Sequence, residues 1–513
     1  MPETPTLSPP RPAPTRFGLD RDTLWVLAVC AIHLLLWGAM SARWAPTSPD
    51  DSLEQVLLSQ EWRVEYGKHP PLPTWMLYAV GRVFGPSIGA TFVLGALCAV
   101  ATMLLLYAFA RPLIGAPRAA VAAMLASNVV YMNAGTAYFN HNTVQLPLAM
   151  LAIALFHRAL TRGRSRDWAL FGLGCGLMML SKASAVILFA SFGVYLLWTR
   201  RLTDAAIWRG LVIALVFCAA VVGPYELSIR SDDFAPDAYA REAIFPEDMS
   251  RLDRLKSVYG FASSQLAKVA PALIVFFLVR RGAPRAAPRG TDAVALGPFL
   301  TIVGFGPFVL TVIVAALTGA RLLVNWGTSF HVVLTLWLVA ALPFAIEAPP
   351  HIVRRTAIVG LAMQAVLWTL LTLNGGRLPN LNPTRHVVPQ PMAKDLPETI
   401  RRLWAAHCTT PLRYVVTDVN TGAALAVRFR GEPRVVDGTR PERSRFFPDQ
   451  ARTDVGGIVV LARAPLASTS LPLDELYRSA TSPETVTLTL DDGRPRDYHL
   501  GVLAPAAAGA CTN

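Results

Sequence analysis

Apolar residues run in long blocks from Leu24 to about Leu373, each block broken by a short polar stretch. Against the roughly 18–20 residues that carry a helix across a bilayer, the blocks give about eleven expected spans. These are 24–40, 86–110, 119–134, 142–160, 168–180, 183–198, 211–227, 261–279, 296–317, 328–346 and 352–373. The block at 168–180 is short for a spanning helix. Residues 72–84 are apolar but short, behind Pro70, Pro71 and Pro73, and suit a half-inserted or interfacial helix. Beyond residue 373 the pattern changes to short, charged, proline-punctuated runs. There a helix is expected over 395–407, with strands at 413–418 and 434–437 flanking 422–430. Further strands are expected at 457–462, 485–490 and 498–504.

The expected architecture is a polytopic α-helical membrane protein with a small C-terminal α/β domain. The divisions are a Pro-rich, disordered cytoplasmic tail at 1–21, a transmembrane domain at 22–373 and the α/β domain at 374–513. Composition agrees: 53% hydrophobic and 16% charged residues leave too little polar surface for a soluble chain of 513 residues.

Charge orients the spans. Arginines fall in alternate loops: Arg11, Arg16 and Arg21; Arg111 and Arg118; Arg162, Arg164 and Arg166; Arg200, Arg201 and Arg209; Arg280, Arg281, Arg285 and Arg289; Arg354 and Arg355. The positive-inside rule puts these segments, and the N-terminus, in the cytoplasm. An odd number of spans then places the C-terminal domain on the periplasmic side of a bacterial inner membrane. The net charge of +13 is this arginine bias with attraction to membrane lipids, and no nucleic-acid partner is implied. Basic residues precede the first span but no cleavage site follows it, so it is not read as a secretory signal. Cys30, Cys98, Cys175 and Cys218 lie in apolar spans at no metal-like spacing. An oxidising periplasm would permit Cys408 and Cys511 to pair, without requiring it.

On this topology polar residues collect on the outer side. The first outer loop, 41–85, holds Asp50, Asp51, Glu54, Gln55, Trp62, Tyr66, Lys68 and His69. The second carries Asn140-His141-Asn142, the third Ser181-Lys182, and the fifth Arg321, Asn325 and Trp326. Each has a plain structural role open to it. Asp50 and Asp51 can cap a helix starting near Ser52, Lys182 can snorkel, His141 can sit in a solvated turn and Arg321 can anchor the interface. His33, inside the first span, is expected to be a packed histidine with a local hydrogen bond. Their gathering on one face from distant parts of the chain is the functional signal.

The run Asp51-Ser-Leu-Glu-Gln followed by Lys68-His69-Pro70-Pro71 and Trp75 resembles the GT-C superfamily of polyprenyl-phosphate-dependent glycosyltransferases. The likeness is to glycosyltransferase family 39, in the bacterial branch of lipid A aminoarabinose and lipopolysaccharide-core galacturonosyl transferases. Asn142 and the Gly172–Gly176 helix ending in Leu180-Ser181-Lys182 extend the resemblance, which covers roughly residues 20–375. Many members carry Asp where this chain has Asn142.

The resemblance implies transfer of a sugar from a polyprenyl-phosphate donor to a lipid or glycan acceptor of the envelope. Asp51 is the expected base. Lys182, His69, Lys68 and Arg321 are expected at the donor phosphate. Asp50, Glu54, Tyr66, Asn140, His141, Asn142 and Trp326 are expected to line the substrates. One base opposite a phosphate leaving group gives an inverting single displacement. With Asn142 in place of a carboxylate, a metal-independent reaction is favoured over one using a divalent cation. A lipid or solute transporter is the alternative, and would need mid-bilayer polar residues and internal repeats. The C-terminal region shows no nucleophile, nucleotide or metal motif.

Overall fold

The computed structural model describes residues 19–44, 50–66, 69–230, 241, 244–246, 249–286, 295–341, 344–373, 392–439, 456–462, 472–490, 493–505 and 511. The expected tail before Leu19, and Lys68, lie outside the described residues, as does the side chain of Asp50.

The N-terminal two thirds is a polytopic helical membrane protein. Helix α1, Arg21–His33, continues through wider π-type turns over Leu34–Met40. Then follow α2 (Asp50–Leu58), α3 (Leu72–Phe84), α4 (Gly89–Ile114), α5 (Ala116–Ala126), α6 (His141–Arg162), α7 (Ser165–Ser181), α8 (Val186–Trp198), α9 (Ala205–Arg230), α10 (Arg251–Arg280), α11 (Leu296–Thr318), α12 (Leu334–Ala340) and α13 (Pro350–Leu373). Among the described residues, 7 helices are long and apolar enough to cross a membrane. The other expected spans, at 119–134, 168–180, 183–198 and 328–346, hold shorter helices.

The shortening has a packing cause. Every residue of 119–126 in α5 is buried, and α1, α4, α12 and α13 all touch that helix. Its alanines let neighbouring backbones approach closely, as small residues do between membrane helices. A segment enclosed by protein can leave helical geometry without exposing backbone to lipid. Accordingly the chain breaks after Ala126 into 3₁₀ turns at Val130–Met132 and Ala134–Ala137. Glycines 172 and 176, one turn apart on α7, serve a similar approach. A Cβ at Gly172 would collide with the Ala214 carbonyl of α9, and one at Gly176 would lie 2.6 Å from Val221 Cβ.

The C-terminal region begins with α14 (Leu396–His407), followed by β1 (Tyr414–Thr417), α15 (Val419–Phe429), β2 (Arg434–Asp437), β3 (Gly457–Leu461), α16 (Pro472–Ser479), β4 (Thr481–Thr489) and β5 (Pro495–Leu503). The sheet order is β2-β1-β3-β5-β4, with β1 parallel to β2 and β3, and β5 antiparallel to β3 and β4. Alternation along the strands sends Val415, Ile458 and Val460 toward α14 and α15, and Val416, Val459 and Leu461 toward α16. Helix α16 had no counterpart in the sequence expectations, and β4 starts before the expected 485. Cys408 and Cys511 form a disulfide.

This region rests on the first loop of the membrane part. Leu57 of α2 packs into the core that α14 and α15 share with the sheet, while Leu53 and Val56 meet Ala423 of α15. The Gln60 amide donates to the Val435 carbonyl at 2.8 Å and accepts from the Val435 N–H at 3.1 Å, in the manner of a further strand on β2. Arg434 pairs with Glu61 at 2.8 Å.

Candidate active site

Helix α2 starts at Asp50, two residues before the expected Ser52, so Asp51 lies in its first turn instead of preceding it. A carboxylate there faces the positive end of the helix dipole. The second loop aims it. Asn140 caps α6 through its side-chain oxygen, which accepts from the Asn142 N–H at 2.9 Å and the Thr143 N–H at 3.3 Å. Its amide nitrogen then donates to Asp51 Oδ2 at 2.9 Å. One buried residue therefore fixes both the start of α6 and the orientation of the carboxylate. Ser52 secures the same junction by donating to the Ala137 carbonyl at 3.1 Å.

Helices α6 and α7 run as an antiparallel pair, because Gly163 turns the chain in the left-handed region at φ 64°. The end of α7 thus returns to the start of α6. Ser181, fully buried, donates to the His141 carbonyl at 2.8 Å, and Gln145 donates to the Lys182 carbonyl at 3.1 Å. Held by these contacts, the Lys182 ammonium donates to Asn142 Oδ1 at 2.6 Å and lies 5.6 Å from the Trp326 ring centroid. The residue at 142 matters electrostatically. An aspartate would add a negative charge against Lys182, whereas the asparagine accepts its hydrogen bond without adding one. A carboxylate and a cation, joined through Asn140 and Asn142, therefore stand on one end of the bundle.

His69 and His141 join this group, with ring centroids 3.9 Å apart and planes tilted by 46°. Glu54 follows Asp51 by three residues on α2 and is half-buried. Tyr66 points inward: its hydroxyl donates to the Glu61 carbonyl at 2.7 Å and accepts from the Arg63 N–H at 2.9 Å. Burial pushes its phenol up to about 12, so it remains a donor at neutral pH. That geometry makes Tyr66 a brace of the loop. Trp75 braces it too, donating from its indole to the Arg63 carbonyl at 2.6 Å and stacking on Trp62 at 4.6 Å. Arg321 is exposed, and no described contact joins its side chain to Asp51, Asn142 or Lys182. Among the described residues, no three His, Cys, Asp or Glu side chains converge as a metal site would require.

Sequence reasoning missed a second group behind this one. Tyr131, Gln265, Lys268 and His331 are brought together by the 3₁₀ segment Val324–His331, the same segment that carries Trp326. A lone lysine within the expected span 261–279 was the signal available.

The fold defines the class first: a membrane-embedded protein with the fold of the GT-C glycosyltransferases. ArnT from Cupriavidus metallidurans, solved bound to undecaprenyl phosphate, superposes with a TM-score of 0.62 at 13% identity, over 96% of this chain and 99% of that one. The apo form of the same protein gives a TM-score of 0.53 at 15% identity, over 96% and 100%. At sequence level, residues 68–223 match the dolichyl-phosphate-mannose-protein mannosyltransferase family. An undecaprenyl phosphate-α-4-amino-4-deoxy-L-arabinose arabinosyl transferase of Pseudomonas fluorescens is 29% identical over 43% of this chain and 42% of its own length. The lipopolysaccharide core galacturonosyltransferase RgtA of Rhizobium johnstonii is 26% identical over 58% of this chain and 60% of its own. The chain thus spans about half the length of these curated relatives. The resemblance to GT-C polyprenyl-phosphate-dependent glycosyltransferases holds in both fold and sequence.

Proposed function

We propose that this protein transfers a sugar from a polyprenyl-phosphate donor to a lipid or glycan acceptor of the bacterial envelope. The reading sets the site on the periplasmic face of the inner membrane, the N-terminus in the cytoplasm and the C-terminal α/β domain outside, with about eleven crossings in all. The observation that carries it is the pairing of Asp51 with Lys182 through Asn140 and Asn142.

Asp51 accepts the proton of the acceptor hydroxyl as that oxygen attacks the anomeric carbon. The bond from that carbon to the donor phosphate oxygen breaks on the opposite face, and polyprenyl phosphate leaves with the electron pair. Negative charge then grows on the phosphate, where a cation already in place stabilises the transition state. Lys182 is such a cation, with His69 and Lys68 beside it in the sequence reading. The leaving phosphate needs no general acid, so a single displacement with inversion follows. The donor approaches from the lipid side, and the docked C-terminal region supports α2 from the other.

The test is sugar release by the purified full-length protein in detergent from a synthetic polyprenyl-phosphate donor, together with mass spectrometry of envelope glycolipids from cells with and without the gene. Unchanged glycolipids and no release from any donor would sink the proposal.

A further inference from the structure

Lys268 sits inside α10, within a span expected to cross the bilayer, and is 6% exposed. Among the described residues its ammonium makes no ion pair and no hydrogen bond; its contact is the face of Tyr131, 5.2 Å from the ring centroid. The neighbours cannot compensate it. Tyr131 donates its hydroxyl to the Val324 carbonyl at 2.7 Å, and Gln265 donates its amide to the same oxygen at 3.1 Å. The Gln265 amide oxygen lies 3.1 Å from Tyr131 Oη and 3.1 Å from His331 Nε2. An amide oxygen only accepts, so His331 carries its proton on Nε2. Gly327 leaves the room for Gln265, since a Cβ there would collide with the amide. The result is a wall of Tyr131, Gln265 and His331 that offers no anion, its hydrogen bonds made internally, with a buried cation set against it.

A buried ammonium is held in place only if something offsets the loss of water, and a ring face offers far less than an anion does. The position suggests which anion. The segment Val324–His331 carries Trp326, against Lys182, and His331, against Gln265. At about 2.0 Å per residue in a 3₁₀ turn, the two sites are separated by roughly 10 Å along it. Lys268 thus lies one short segment away from the cation proposed to meet the donor phosphate, within reach of another anionic group of the same donor.

We infer that Lys268, backed by Tyr131, Gln265 and His331, forms a second anion site that receives an oxyanion of the lipid-linked donor. That oxyanion is the donor's phosphate or a carboxylate on its sugar, and the inference rests on the glycosyltransferase reading. The experiment measures binding of undecaprenyl phosphate to the full-length protein in lipid nanodiscs, with transfer assayed from a uronosyl and a neutral hexosyl donor. Lys268→Met is the variant, with Lys268→Gln as its replacement should Met disturb insertion.

If the phosphate is the ligand, undecaprenyl phosphate binding weakens by roughly 30-fold or more, as when one partner of a buried charge pair is lost. If a sugar carboxylate is the ligand, that binding holds while transfer of the uronosyl sugar falls by a similar factor and transfer of the hexosyl sugar does not. In both cases the ligand-free variant melts higher than the wild type, because an uncompensated buried charge has been removed. Binding and both transfer rates left at wild-type values would overturn the site and make Lys268 structural. A wild-type protein that binds undecaprenyl phosphate through Lys268 but transfers nothing would instead refute the glycosyltransferase reading alone.

Discussion

Around Gln364 and around Asn142 the protein places polar side chains among apolar helices in two opposite ways. In the first, His33 Nδ1 and Trp37 Nε1 lie 2.7 and 3.2 Å from Gln364 Oε1, and Gln364 Nε2 donates to Ser127 Oγ at 2.9 Å. Ser127 in turn donates to the Met124 carbonyl at 2.7 Å. The chain of bonds carries no formal charge and ends on backbone, tying α1 to α13 and α5. In the second, Asp51 and Lys182 keep opposite charges at the two ends of a short amide bridge. Burial alone therefore does not mark function. A neutral network that ends on backbone holds helices together, whereas the charged one ending at a surface is the site proposed for a ligand.

The comparison is broken most sharply at Asp51. Asp51→Asn keeps an oxygen for the Asn140 amide, so protein level and melting temperature should stay near wild type. Transfer should fall by about 100- to 10,000-fold, the usual consequence of removing a positioned base. Near-normal turnover would reduce Asp51 to a support for α6. At the other end of the bridge, Lys182→Arg keeps the charge but replaces a compact ammonium with a planar fork. We expect normal insertion and a loss of transfer of about 10- to 100-fold, equivalent to one misplaced donor at the phosphate. Full activity would leave Lys182 as an interfacial anchor.

Asn142 tests the bridge itself. Asn142→Asp places a carboxylate against Lys182 and lowers the field available to a donor phosphate. Donor affinity should fall by roughly tenfold while the fold is retained, since one added charge near a partly exposed cation is worth a kcal/mol or two. Tighter donor binding in that variant would show that position 142 is not set against the phosphate.

Most of the group around Asp51 and Lys182 was legible because its members sit at the ends of hydrophobic blocks. Asp51, Asn140, His141, Asn142 and Lys182 each adjoin a helix terminus, and termini are what periodicity locates. The bridge was not legible, because it depends on Asn140 capping α6 and on Ser181 and Gln145 fastening α7, contacts that sequence spacing cannot supply. Arg321 stood out in the sequence as a cation at the same level, yet its exposed side chain makes no described contact with the bridge. The broken helix after Ala126 escaped detection for a different reason: hydropathy counts apolar residues and cannot tell a lipid-facing span from a segment enclosed by protein. Lys268 was visible in the sequence but lay outside the loops where chemistry was sought. The docking of Gln60 and Glu61 on β2 could not be inferred from either partner alone.

The smallest effect on transfer is expected in the neutral network. Gln364→Leu removes the oxygen shared by His33 and Trp37 and the amide that reaches Ser127. Two buried donors on α1 lose their acceptor, and an unsatisfied buried donor costs about 1–3 kcal/mol. The effect should appear as a lower melting temperature of the purified protein, because the ties from α13 to α1 and α5 are weakened. Transfer per folded molecule should remain within about twofold of wild type, since no described contact links Gln364 to Asp51 or Lys182, and distant sites act nearly independently. His33→Leu in the same background should then recover part of the lost stability, as it removes one of the stranded donors. A variant that melts normally but loses transfer would overturn the distinction between the two networks and put Gln364 on a path used by the substrate.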